Sequence, residues 1–276
     1  MPVLSDLEPR EVFAWFERLC AIPHGSHHAK AISDYLVAFA RERGLACRQD
    51  AANNVVIRKA ASAGYENAPV VMLQGHIDMV CEKDTDCGKD METEGLDLFV
   101  DGDVIGARRT TLGGDDGIAV AMALAVLDAD DIPHGPLECV FTADEEVGMI
   151  GARALDASDL KAKYLINIDS EEEGVLTVSC AGACRTLCTL PVTRVPFDGQ
   201  TLRVRISGLV GGHSGEEIHK GRANANLLLG RALDEMSRAG ALRLIRVSGG
   251  AKDNAIPREA EAVVRTGDAA ALRRAA

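Results

Sequence analysis

The chain has 276 residues, 47% of them hydrophobic and 26% charged, which is enough material for one large or two ordinary domains with a real core. Its net charge of −12, from 42 acidic and 30 basic residues, excludes general nucleic-acid binding, which needs a basic face. It leaves room for a cation site, because carboxylates are good ligands for zinc and hard metals.

The N-terminus, MPVLSDLEPREVFAWFERLC, lacks a basic stretch followed by an apolar one, so no secretory leader is expected. No apolar run approaches the ~18 residues of a membrane span. A cytoplasmic setting follows, with the eight cysteines reduced. Cys180, Cys184 and Cys188 are spaced by four, but no CxxC pair is present. That segment reads as a strand and turn rather than a metal cluster.

In chain order, Pro9 to Ala21 has helical apolar spacing and stops before Pro23. After the loop IPHGSHH, Ser26 is placed to cap a helix, HHAKAISDYLVAFARERG, that ends at Gly44. Strands follow in ACRQD, NVVIRK and VVMLQGH. A polar, acid-rich loop spans about Glu82 to Asp103. A helix is expected from about Gly117 to Ala129, then the strand LECVFTA, the short helix GARAL and the strand KYLINID. Alternating apolar strands and helices predict an α/β fold with a sheet buried on both faces. After about Cys184 the pattern changes to β-α-β-β: TLRVRISGLVGG, then ANANLLLGRALDEMSRAG, then two strands in ALRLIRVSGGAKDNAIPREAEAVVRT. The domains are therefore expected at 1–183 and 184–276, the second an α+β layer. The chain stops at DAAALRRAA, inside what reads as the next helix.

Polar residues recur where strands end or helices begin. His76 and Asp78 follow VVMLQG, and Asp115 and Asp116 precede a helix. Asp144, Glu145 and Glu146 follow LECVFTA, and Asp169 follows YLINI. Ligands of open α/β sheets bind beyond the carboxyl ends of the strands, so these groups converge on one place. One imidazole and several carboxylates suit zinc, or manganese and cobalt. So many acids balance two cations better than one, and two-metal hydrolases space their ions by about 3.5–4 Å. Each group also has a plainer role. Asp115 or Asp116 would cap the helix for about 1 kcal/mol, though one aspartate suffices for that. Asp78 is placed to hold the second imidazole nitrogen of His76. The pair Glu145–Glu146 offers one ligand and one general base. His24, His27, His28, His134 and His219 read as loop or surface residues.

QGHIDMVCEK (74–83), TTLGGDDGIAVA (110–121), TADEEVGMIGA (142–152) and LINIDSEEEG (165–174) resemble the aminoacyl-histidine dipeptidases. These are a subgroup of the co-catalytic zinc metallopeptidases, which also include carnosinases, aminoacylases and glutamate carboxypeptidases. VFAWFERLCAIPHGS and GLVGGHSGEEIHKGRANAN are similar to the same subgroup, so the resemblance covers nearly the whole chain. It implies a catalytic domain with a mixed central sheet and a lid that forms homodimers. It also implies two zinc ions: His76 and Asp169 on one, Glu146 on the other, and Asp115 bridging both through a cis bond to Asp116. Glu145 would be the general base, Asp78 would orient His76, and His213 would bind the substrate carboxylate or the oxyanion. Asn254 matches a lid motif with a substrate contact. The implied substrate is a small dipeptide with a C-terminal histidine, as in carnosine-like peptides. Two departures from most relatives are Asp116, where they carry Asn, and Gly114, where they carry Ala. A third is larger: the subgroup's second zinc takes a late histidine that no residue here matches. The expectation is a truncated chain that binds one zinc well, the second poorly, and is weakly active. The alternatives are an N-acyl amino acid deacylase or tripeptidase of the same family, or a non-catalytic metal-binding fragment.

Overall fold

The computed structural model describes residues 2–275 except 171, 181, 183–185, 216 and 253. It divides into two compact units, Met1–Cys180 and Ala181–Ala276.

The N-terminal unit begins with two helices, α1 (Arg10–Cys20) and α2 (Lys30–Glu42), which put Trp15, Phe16, Leu19, Leu36 and Phe39 into its core. α2 ends as its sequence predicts. Gly44 takes a left-handed φ of 64°, donates to the carbonyl of Arg41, and lets Leu45 donate to Ala40. Its start differs: the helix begins at Lys30, and Ala29, not Ser26, stands at its N-cap. The strands β1 (Ala46–Gln49), β2 (Val55–Lys59) and β3 (Val71–His76) follow. The loop expected over 82–103 runs instead into a hairpin of β4 (Leu98–Asp101) and β5 (Val104–Ala107), turned at Gly102 and Asp103. The Gly-Asp pair of VDGDV is a two-residue turn signal, outvoted in the sequence by the surrounding acids.

α3 (Gly114–Asp128), β6 (Leu137–Thr142), α4 (Ile150–Ala154) and β7 (Tyr164–Asn167) complete the unit. The sheet order is β1-β2-β6-β3-β7. β3 runs parallel to β6 and β7, while β2 runs antiparallel to β6 and β1, so the sheet is mixed. Every residue of β6 is buried. Its one charge, Glu138, accepts from Arg58 across the β2–β6 pair and from the backbone N–H groups of Lys161 and Ala162. α3 packs between α1 and β3, with Val120, Leu124 and Leu127 almost fully enclosed. Burying a side chain of this size is worth roughly 1.5–3 kcal/mol, which explains why α3 is apolar around its whole circumference.

In the C-terminal unit, β8 (Gln200–Ile206), α5 (Ala225–Ala239), β9 (Leu242–Gly249), β10 (Ala260–Thr266) and α6 (Ala269–Ala275) form an antiparallel sheet, order β8-β10-β9, with helices on one face. Asn224 caps α5, its Oδ1 accepting from the N–H groups of Asn226 and Leu227. Leu229 of α5 meets Ala260, Ala262 and Val264 of β10 in a small core. The segment 180–188, read from the sequence as strand and turn, forms neither helix nor strand among its described residues, and Cys184 lies outside them.

Candidate metal centre

The carboxyl ends of β3, β6 and β7 and the start of α3 bring His76, Asp115, Asp116, Glu145, Glu146 and Asp169 together in the N-terminal unit. Among the described residues, two sets of donor atoms lie within 4.8 Å of one another: His76 with Asp116 and Asp169, and His76 with Asp115 and Glu146. One imidazole nitrogen and two carboxylate oxygens in each set match the preferences of zinc, and His76 is common to both.

His76 is 1% exposed, and both of its ring nitrogens are engaged. Nδ1 lies 2.9 Å from the backbone carbonyl of Asp78, and Nε2 lies 2.8 Å from Oδ1 of Asp115. The Asp78 carboxylate is 3.4 Å from Nδ1, farther than the carbonyl of the same residue. Burial opposes a charge on His76. Hydrogen bonds to Asp78 and Asp115 and the charges of Asp78 and Asp116 outweigh it, and the pKa rises to about 10. In this arrangement a proton on Nε2 occupies the position for which a cation would compete.

The two adjacent aspartates play different parts. The peptide bond between them is cis, and neither has helical backbone angles, so regular helix begins only at Gly117. The side-chain bonds of both aspartates go to His76 rather than to the first turn of the helix, Asp116 to its backbone N–H and Asp115 to its ring. Asp116 is 1% exposed and its Oδ2 accepts from the backbone N–H of His76. Burial, together with the charges of Asp169 and Asp115, raises its pKa to about 7 despite the opposing pull of His76. Asp115 is 54% exposed and faces Nε2 of His76. The approach requires Gly75: a Cβ there would lie 2.7 Å from Oδ2 of Asp116 and 3.1 Å from Cβ of Ala119.

Glu145 and Glu146 are half-buried on the loop after β6. Burial raises both pKa values, with the charges of Asp169, Asp78 and Asp115 adding to the effect at Glu145 and that of Asp115 at Glu146. The loop is held from two sides. Oδ1 of Asp78 accepts from the N–H of Glu145, at 2.9 Å. Asn54, 1% exposed, accepts from the N–H of Ala143 and donates to the carbonyl of Gly151, spanning the loop's two ends. Asp169 is exposed beyond β7, its N–H donating to Asn167, which in turn donates to Gln74 on β3.

His213 and Asn254 belong to the C-terminal unit. They neighbour each other there, the N–H of Ser214 donating to the carbonyl of Asn254 and His213 bridging to Ala255. The His213 N–H donates to Glu217, and Nδ1 of His213 accepts from the N–H of Gly215. Lys220, the His213 backbone and Arg222 bring the Glu217 pKa down to about 2.

Three residues of the N-terminal site escape sequence reasoning. Ser26 donates to Oδ2 of Asp78 at 2.8 Å instead of capping α2. His24, expected in a loop or at the surface, is 5% exposed, with Nδ1 2.6 Å from the carbonyl of Ile22. Asn54 is the third, and its only local signal is a polar residue directly before an apolar strand.

Residues 204–270 match the family model described as the peptidase dimerisation domain. The cytosol non-specific dipeptidase of Escherichia coli (strain K12) is 44% identical over 266 residues, which are 96% of this chain and 55% of that protein. The crystal structure of an aminoacylhistidine dipeptidase from Vibrio alginolyticus superposes with a TM-score of 0.70 at 38% identity, over 99% of this chain and 57% of that one. A tripeptidase from Staphylococcus aureus shares the fold, with a TM-score of 0.52 at 19% identity, over 98% of this chain and 69% of that one. The chain thus spans just over half the length of the two dipeptidases and is homologous to them along almost all of its own. The mixed sheet and the segment that matches the dimerisation-domain model both fall within the 99% of this chain that superposes on the Vibrio alginolyticus structure.

Proposed function

We propose that this chain carries the catalytic and lid segments of a cytoplasmic dizinc dipeptidase that cleaves Xaa-His peptides and dimerises through the lid. The observation that carries this reading is the pair of donor sets sharing His76, in a chain 44% identical over 266 residues to a dipeptidase. In it, His76 and Asp169 would hold one cation, Glu146 the other, and Asp115 would serve both. Asp115 suits the bridging position better than Asp116 because it is half exposed, whereas an oxygen of Asp116 is already engaged by the His76 N–H. Manganese or cobalt would satisfy the same donors.

When bound, two such cations polarise the scissile carbonyl and lower the pKa of water toward about 7. Glu145 takes the proton from that water and returns it to the leaving amine. Burial raises its pKa, the direction that strengthens a carboxylate as a base. Asp78 fixes the Nδ1 side of His76 and leaves Nε2 for the cation. His213 holds the oxyanion or the peptide's carboxylate, and Asn254 beside it contacts the substrate.

The test is zinc titration with hydrolysis of a carnosine-like peptide. His76→Ala should lose zinc and turnover together. Glu145→Gln should keep zinc and lose turnover. Activity surviving in Glu145→Gln would remove the base assignment. Faster release of an acyl group from acylated amino acids than of histidine from Xaa-His peptides would replace the substrate class.

A further inference from the structure

The loop 24–27, between α1 and α2, lies against the metal-centre loops although it supplies none of the proposed ligands. Gly25 and Met79 form a parallel bridge in which Met79 donates to the carbonyl of His24 and Ser26 donates to the carbonyl of Met79. The next N–H, that of His27, donates to Oδ1 of Asp144 at 2.6 Å. One short segment is therefore tied both to the turn after β3 and to the turn after β6. The contact is close enough that a Cβ on Gly25 would lie 2.6 Å from Sγ of Cys81.

We propose that Ser26 is a positioning residue for the metal centre, its hydroxyl locking the Asp78 carboxylate so that one carboxylate aligns both the His76 turn and the Glu145–Glu146 turn. This rests on the metal-centre reading above. The Asp78 side chain is fully enclosed, and its two oxygens have different partners: Oδ2 takes the Ser26 hydroxyl and Oδ1 takes the Glu145 N–H. The carbonyl of the same residue sets Nδ1 of His76. Without the hydroxyl, Oδ2 is a buried anionic oxygen short of a donor. A buried unmet acceptor is costly, so the carboxylate turns to find one. That rotation takes Oδ1 off the Glu145 N–H and releases the acid pair from its register with His76. Outer-sphere partners of metal ligands commonly contribute 10- to 100-fold in metal affinity or activity.

The experiment is zinc competition against a chelating dye, with the 276-residue chain and four variants. Ser26→Ala should weaken zinc binding about 10- to 100-fold, and Ser26→Thr, which keeps the hydroxyl, should restore it to near the wild-type value. Ser33→Ala controls for a generic loss of stability, because it removes another buried hydroxyl of the same unit, one that donates 2.8 Å to the carbonyl of Asn53 and not to Asp78. It should leave zinc affinity unchanged. His76→Ala reports on the site itself. If His76→Ala loses zinc while Ser26→Ala stays within about twofold of wild type, the role of Ser26 is overturned and the metal centre stands. That role is overturned equally if Ser33→Ala loses as much as Ser26→Ala, or if Ser26→Thr fails to restore binding. If His76→Ala binds zinc like wild type, or the wild-type chain binds none, both readings fall together.

Discussion

The N-terminal unit encloses His76, Asp78 and Asp116 to 1% exposure beside β3, whereas the sheet of the C-terminal unit keeps its charges on an uncovered face. There Arg205 pairs with Glu259, and Arg203 and Arg246 both pair with Glu261. The contrast follows from how the sheets are covered. A strand such as β6, buried on both faces, accepts a charge only with a full set of partners, as Glu138 has. A sheet with helices on one side leaves its other side in water, where ion pairs form readily and are worth little. Glu138 and Asp78, enclosed in the N-terminal unit, are each tied to more than one segment of the chain. Altering one should propagate, as altering an arginine of the other sheet should not.

The largest expected effect lies in the two-sided core. Phe141→Ala on β6 should destabilise the N-terminal unit by about 3–5 kcal/mol in chemical denaturation, because the cavity has packed neighbours on every side. A loss below about 1 kcal/mol would mean that the core relaxes, and the contrast between the sheets would weaken.

The enclosed charges sharpen the comparison through pH. Asp116 and His76 bind their protons more tightly folded than unfolded, with pKa values raised to about 7 and about 10. Between about pH 4 and 10 the folded state therefore holds more protons, and stability should fall as pH rises through that window. Thermal unfolding in chelator, scanned from about pH 6 to about pH 9 within that window, should show a falling midpoint. Saturating zinc should flatten or reverse the slope, because the cation displaces the same protons. A chelated chain whose stability rises over this range would contradict the arrangement around His76.

The smallest effect belongs to the uncovered sheet. Arg246→Ala, which removes one partner of Glu261, should cost less than about 1 kcal/mol and leave zinc affinity unchanged. A larger loss would show that this face is not free in solution.

Much of the site is legible in the sequence because its residues sit in short strings at element ends. QGHID, GGDDG and ADEE each combine an apolar run with a glycine or acid cluster, and the period of the run tells strand from helix. The gaps have physical causes too. The β4–β5 hairpin is hidden because its strands are only four residues each and lie among acids. Ser26 reads as a cap because a serine before a helical pattern is a good capping signal, and nothing local shows that the hydroxyl has a buried anion to serve. Asn54 offers only a polar residue before an apolar strand, since its partners Ala143 and Gly151 lie elsewhere in the fold, and nothing local shows that the loop around His24 is buried.

By itself the sequence determined the main helices and sheet strands of both units, the change of character along the chain, and the ends at which chemistry-bearing side chains stand. These follow from periodicity and composition over a few residues. Only the tertiary structure decided which atom serves which. It placed β6 between β2 and β3, put Asp116 rather than Asp115 on the His76 N–H, and gave the second oxygen of Asp78 to Ser26. Ser26 and Asp78 are 52 positions apart, and His27 and Asp144 are 117 apart. Contacts over such separations are fixed by strand order and by the cost of leaving a buried oxygen unmet, neither of which is written in any local stretch of the chain.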